Sequence, residues 1–159
     1  MDLNEAYFTT ELRGHDTFFN PFNIGENFGK GNPHNDDGLN VSYMWENIWT
    51  KDKILFLIAS FIYIKKKETR NADTGKVKKS KVLIFPRFHQ LRAVERVMND
   101  VIINHTSCNY LIEHSAGSGK TETISWLAHI LATVHDENND NVFDTVLIIT
   151  DRIIVDRQL

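Results

Sequence analysis

Glu113-His-Ser-Ala-Gly-Ser-Gly-Lys-Thr121 decides how the rest of this chain is read, because it sets a glycine-rich turn between an apolar run and an amphipathic segment. Ahead of it, Tyr110-Leu111-Ile112 predicts a buried strand. Behind it, Ile124, Leu127, Ala128 and Leu131 recur at helical spacing. Gly117 and Gly119 carry no Cβ, so the successive N–H groups of Ala116, Gly117, Ser118 and Gly119 can turn toward an anion, and the opening helix adds its positive end. In such a cradle Lys120 reaches the β- and γ-phosphates of a nucleotide and the Thr121 hydroxyl ligates Mg²⁺. The full pattern G-x-x-x-x-G-K-[ST] asks for glycine at position 114, where this chain has His114. Taken without its flanks, Gly-Ser-Gly-Lys-Thr also suits an ordinary helix start; the strand before and the helix after favour the nucleotide reading.

The chain has 159 residues, room for one modest domain or for pieces of two. A hydrophobic content of 42% with 3 prolines argues for a folded chain rather than a disordered one. Cys108 is the single cysteine, which excludes an internal disulfide and fits a reducing cytoplasm; a small half-buried hydrophobe before a strand is its expected role. The acidic start Met1-Asp-Leu-Asn-Glu5 has no apolar signal core, and the longest apolar stretch, 54–64, is too short to span a bilayer. The expectation is a cytoplasmic protein with no membrane contact. Net charge is −3, yet residues 65–81 hold eight basic residues against Glu68 and Asp73, a local +6 that leaves −9 elsewhere.

Residues 7–22 predict two short strands joined at Gly14-His-Asp16, the trailing edge of a sheet. Residues 23–40 read as loop, with Gly25, Gly29, Gly31 and Gly38 among Asn, Asp and Pro. From Ser42 to Ile64 the apolar spacing predicts helix, broken near Thr50-Lys51-Asp52, with Asp52 as N-cap of the second part and Trp45 and Trp49 as packing residues. Residues 65–81 read as an exposed linker or hairpin tip, with contact to a nucleic-acid backbone as the alternative. Pro86 opens a helix carrying Leu91, Val94, Val97, Met98, Val101 and Ile102. Asp136 to Asn141 is a loop, Thr145 to Thr150 a buried parallel strand, and Asp151 onward a further helix. The order helix, strand, phosphate loop, helix, strand, helix predicts a right-handed βαβ unit with the ligand at the strand C-termini.

Three segments, Phe85-Pro-Arg-Phe-His-Gln-Leu91, Tyr110 through Thr121 and Val146-Leu-Ile-Ile-Thr-Asp-Arg152, closely resemble the R (motor and restriction) subunit of type I restriction enzymes, as do Leu12 through Asn23 and Gly29-Lys-Gly-Asn-Pro33. The resemblance implies an α/β fold in which residues 82–159 start a P-loop (RecA-like) parallel-sheet motor domain of the superfamily-two helicase class. Residues 1–64 would then be the trailing α+β part of a nuclease domain, and 65–81 a basic linker. It further implies an ATP-dependent, DNA-translocating and DNA-cleaving parent with ATP and Mg²⁺ as cofactors. The implied partners are double-stranded DNA and the specificity and modification subunits. Gln90 resembles the glutamine that reads the adenine edge, Lys120 and Thr121 the phosphate lysine and the Mg²⁺-side hydroxyl, and Thr150, Asp151, Arg152 and Gln158 the next motif, which touches DNA. Helicases of that superfamily often lack the first glycine of the loop, in keeping with His114.

Nucleases of the resembling kind hold metal with an acidic residue and a Glu-x-Lys pair, and no Glu-x-Lys occurs here; Glu11-Leu-Arg13 and Glu68-Thr-Arg70 place arginine instead. Both are expected to be surface or strand-edge pairs. No acidic box for water positioning appears by Leu159, so the isolated chain is expected to bind nucleotide weakly and turn it over little. The seven histidines make no metal-ligand spacing, and only His89 and His114, near the loop, stand out. The rival reading is a catalytically inactive product that binds DNA or a partner through the basic run and the tryptophan-bearing helices.

Overall fold

A computed structural model describes residues 2–27, 29–70, 75, 77–104 and 108–150. Two compact units divide the chain, Met1–Phe88 and His89–Leu159.

In the first unit β1 (Tyr7–Phe8) pairs antiparallel with β2 (Asn20–Pro21), Tyr7 opposite Pro21 and Phe8 opposite Asn20. The expected pair of strands is therefore present but short. The pairing is extended by Phe22 N–H donating to Ala6 O at 2.8 Å, which places Ala6 and Phe22 in the core at 2% and 3% exposure. The loop after it is held by one buried side chain: Asn32 Oδ1 accepts from Ile24 N–H and Asn32 Nδ2 donates to Asn4 O, both at 2.8 Å. A buried amide with both ends bonded offsets its desolvation, so a glycine-rich loop keeps one shape.

Next comes a π-helical turn (Met44–Ile48), with Trp49 N–H donating to Met44 O at 2.7 Å, followed by α1 (Lys51–Ser60). The predicted break between them is real. The cap position is Thr50, with extended backbone, while Asp52 sits inside the first turn, where its charge still favours the helix start. Leu57 and Phe61 point inward, whereas Ile54, Leu55 and Ile58 are exposed, as are Trp45 and Trp49, which the sequence reading assigned to packing.

Of the two readings of the basic run, linker or hairpin, the described residues follow the hairpin. β3 (Tyr63–Arg70) and β4 (Val77–Ile84) form an antiparallel hairpin with eight paired positions. The basic run is thus carried on paired strands; β-branched and aromatic residues at the root (Tyr63, Ile64, Val82, Ile84) supply the strand propensity that the lysines lack. Rings pack around Phe22, with Phe8 at 5.8 Å, Phe85 at 5.8 Å and Phe88 at 5.5 Å between centroids, mostly edge-on as ring quadrupoles prefer.

The second unit is built on α2 (Phe88–Asn104) and α3 (Lys120–Leu131). In α2 the buried residues Leu91, Val94, Val97 and Val101 form one stripe; in α3 Thr123, Trp126 and Ile130 do the same. The loop after α3 is a turn closed by a bridge between His135 and Asn141, with Asp136 Oδ1 accepting from Asn138 N–H at 2.8 Å.

Two predicted strands are absent among the described residues. Segments 110–112 and 145–150 have no ladder partner, with Leu111 89%, Leu147 79% and Ile149 86% exposed. A buried parallel strand needs a neighbour on each side to take its N–H and C=O groups, and an apolar run cannot supply one for itself. The described sheets are both two-stranded and antiparallel, so the fold is mixed α/β without the expected parallel βαβ unit among these residues. Cys108, expected half-buried, is exposed. No described helix is long and apolar enough to cross a membrane.

Candidate nucleotide-phosphate site

The segment from Ser115 to α3 turns because two glycines take the left-handed backbone that other residues avoid. Gly117 has φ +74° and Gly119 φ +85°. Ser118 N–H closes the turn onto Ser115 O at 3.3 Å, and Gly119 O accepts Thr123 N–H at 3.2 Å, the first intrahelical bond of α3. The amides of Lys120 and Thr121 lie ahead of that first bond, so helix geometry leaves them as free donors at the positive end of the dipole.

Space around the two glycines differs. A Cβ on Gly117 would meet nothing within 4 Å, whereas one on Gly119 would lie 2.5 Å from Gln90 Nε2. The loop is thus open at Gly117 and closed against α2 at Gly119. Two α2 residues hold it there: Gln90, 4% exposed, donates from Nε2 to Gly119 O at 2.8 Å, and His89 Nε2 lies 3.2 Å from Ser118 O. His114 packs edge-on against His89, centroids 4.9 Å apart. Burial, followed by the charge of Lys120, holds the His114 imidazole below its ordinary range.

Lys120 bends back over the loop, donating from Nζ to His114 O at 2.5 Å and Ser115 O at 3.1 Å. Thr121 follows, half-buried, in the first turn of α3. Two buried polar atoms here have no partner among the described residues, Ser118 Oγ and His114 Nδ1. An unmade buried bond costs about 1–3 kcal/mol, so both atoms mark a place for a further polar group. The cleft beside the loop, lined by Ile112, His114, Lys120, Thr123, Ile124 and Leu127, is about 90 Å³. Small-molecule pockets run to roughly 300–1,000 Å³, so the cleft is too small to enclose a whole nucleotide. What the geometry offers is a lysine folded over a turn at a helix start, whose leading amides suit phosphate oxygens.

Of the residues singled out from sequence, the structure brings together Gln90, Ala116, Gly117, Ser118, Gly119, Lys120 and Thr121 around one turn. Gln90 is held on the loop carbonyl. Thr150 is half-buried at the end of the described chain, and Arg152 and Gln158 lie outside the described residues. Glu11 and Arg13 form an exposed ion pair at 2.7 Å, and Glu68 pairs with Lys79 across the hairpin at 3.1 Å, so both Glu-x-Arg motifs contribute surface pairs. No group of three His, Cys, Asp or Glu able to hold a metal occurs among the described residues. The role of the His114 carbonyl as acceptor for Lys120 was not visible in the sequence, since a backbone oxygen carries no side-chain signal.

Residues 89–159 match the family model described as SWI2/SNF2 ATPase. The match indicates a superfamily-two helicase-like ATPase region and an ATP-hydrolysing enzyme family. No curated protein and no solved structure matches the chain.

Proposed function

We propose that the 115–121 loop binds the phosphates of ATP with Mg²⁺, and that the chain is part of an ATP-driven double-stranded-DNA translocase similar to the R subunit of type I restriction enzymes. The observation that carries the reading is the left-handed Gly119 at the start of α3, clamped by Gln90, with Lys120 folded over the same turn. In this reading Lys120 exchanges two neutral carbonyl acceptors for charged phosphate oxygens, adding charge–charge attraction to bonds already made by an ionised donor. The amides of Lys120 and Thr121 add donors, and Ser118 Oγ gains the partner it lacks. In this reading Thr121 Oγ1 ligates the cation, and Gln90, whose Nε2 holds Gly119 O, reads the adenine edge. Bound ATP supplies a phosphoanhydride whose cleavage is governed by positioning and charge neutralisation. Coupling to DNA runs through Thr150, Arg152 and Gln158, and the specificity and modification subunits are the proposed protein partners. With no Glu-x-Lys pair in the sequence, DNA cleavage is assigned to the parent assembly rather than to residues of this chain.

An equilibrium titration with a fluorescent ATP analogue tests the loop assignment. Lys120→Ala should lower affinity by at least tenfold, about 1.4 kcal/mol; unchanged affinity with retained helical circular dichroism would remove Lys120 from the site.

A further inference from the structure

Register decides which side chains of the β3–β4 hairpin share a face. Side chains alternate along a strand. Ile64, Lys66 and Glu68 therefore lie on one face with their direct partners Leu83, Lys81 and Lys79, and all six are exposed. Tyr63 and Lys65, with partners Ile84 and Val82, take the other face, and all four are half-buried. At its root the hairpin therefore has a half-covered face and an open one; Ser80, farther out on the former, is exposed.

The open face carries an arrangement that works against the fold. Lys66 stands directly opposite Lys81, their Cβ atoms roughly 5 Å apart, and like charges so paired destabilise the ribbon. Lys79 is neutralised by Glu68 at 3.1 Å, but neither Lys66 nor Lys81 has a carboxylate partner among the described residues. Both positions are exposed, so packing does not demand lysine at either. The paired cations create a site for an anion placed above the middle of the ribbon.

We propose that this open face is a contact surface for the phosphate backbone of duplex DNA, with Lys66 and Lys81 as the paired phosphate contacts. A two-stranded ribbon fits a major groove about 12 Å wide, and eight pairs at about 3.4 Å each give roughly 27 Å of length along it. The +6 of residues 65–81 against −9 in the rest of the chain concentrates attraction for a polyanion on this element and repels it elsewhere. Near the root, Ile64 and Leu83 are the apolar exposures beside the lysine pair, too small an apolar area for anchoring in a bilayer. The surface belongs to the first unit and the ATP loop to the second, so the proposal stands whether or not Lys120 binds nucleotide. The competing role for these lysines is protection of free strand edges from pairing with other chains.

Fluorescence anisotropy of a labelled 25-base-pair duplex of arbitrary sequence, titrated with the full chain between 50 and 200 mM NaCl, tests the proposal. Two lost phosphate contacts make the slope of log affinity against log salt shallower by about 1.8, equal to roughly 12-fold across that salt range. Lys66→Gln with Lys81→Gln should show that change. Lys81→Glu should weaken DNA binding while keeping or raising the thermal midpoint, because it turns a repelling pair into an attracting one; that opposite movement separates lost contact from lost folding. ATP affinity should not change in either variant. The proposal is overturned if both variants bind duplex like the parent chain, if the parent chain does not bind duplex at 50 mM NaCl, or if it binds phosphatidylserine-containing vesicles in preference to duplex.

Discussion

Substituting Gly119 by alanine isolates what holds the phosphate loop in place. Two costs combine. At φ +85° an alanine Cβ crowds the following carbonyl, about 1–2 kcal/mol. That Cβ would also sit 2.5 Å from Gln90 Nε2, so the amide must leave its 2.8 Å bond to Gly119 O. Gln90 is only 4% exposed, and losing this buried bond adds about 1–3 kcal/mol, even though Gly119 O keeps its bond from Thr123 N–H. The expected loss is about 3 kcal/mol. Gly117→Ala is the control, since its Cβ meets nothing and only the backbone cost of about 1–2 kcal/mol applies. Urea unfolding followed by Trp126 fluorescence, with Trp45 and Trp49 replaced by Phe, reads the second unit alone. In a cycle with Gln90→Ala, the two changes should together cost about 1–2 kcal/mol less than their sum. Equal losses at Gly117 and Gly119, or simple additivity with Gln90→Ala, would refute the clamp.

Two further outcomes concern titration. His114 is held below its ordinary value of 6.5, by burial first and by Lys120 second. The unfolded chain therefore takes up more protons as pH falls through 6.5, and urea midpoints of the second unit should drop between pH 7 and 5; His114→Gln should flatten that dependence. Tyr110 O–H donates to Asp100 Oδ2 at 2.5 Å, a bond that raises Tyr110 to about 12 and, with Asn104 second, lowers Asp100 below its usual 3.8. The tyrosine's share of stability is present below pH 10 and lost as pH rises from 10 to about 12; the aspartate's share is present above pH 3.8 and lost as pH falls through its lowered value. Tyr110→Phe should remove the first dependence and weaken the second, measured as thermal midpoint against pH.

The glycine turn ahead of α3 was legible because its determinants are local. Glycine at 117 and 119, the lysine that follows and the apolar repeat of α3 all act within a few residues, where i to i+4 bonds and the absence of a Cβ decide the conformation. The same holds for α2 and for the break before α1. Strands were legible only in part. Tyr7–Phe8 and Tyr63–Arg70 found antiparallel partners, but 110–112 and 145–150 have the right residues and no neighbour among the described ones. Apolar content selects a strand only when a second strand accepts its backbone groups.

What the sequence determined by itself is the turn and the helix that starts from it, since each depends on contacts a few positions apart. Tertiary structure decided the rest. The spacing of Gln90 and Gly119, 29 residues apart in sequence, becomes a 2.8 Å hydrogen bond only when α2 packs beside the loop. Likewise Lys66 and Lys81 become a facing pair only through the register of the hairpin. Such pairings depend on where distant backbone is brought, and a residue's own chemistry does not encode that.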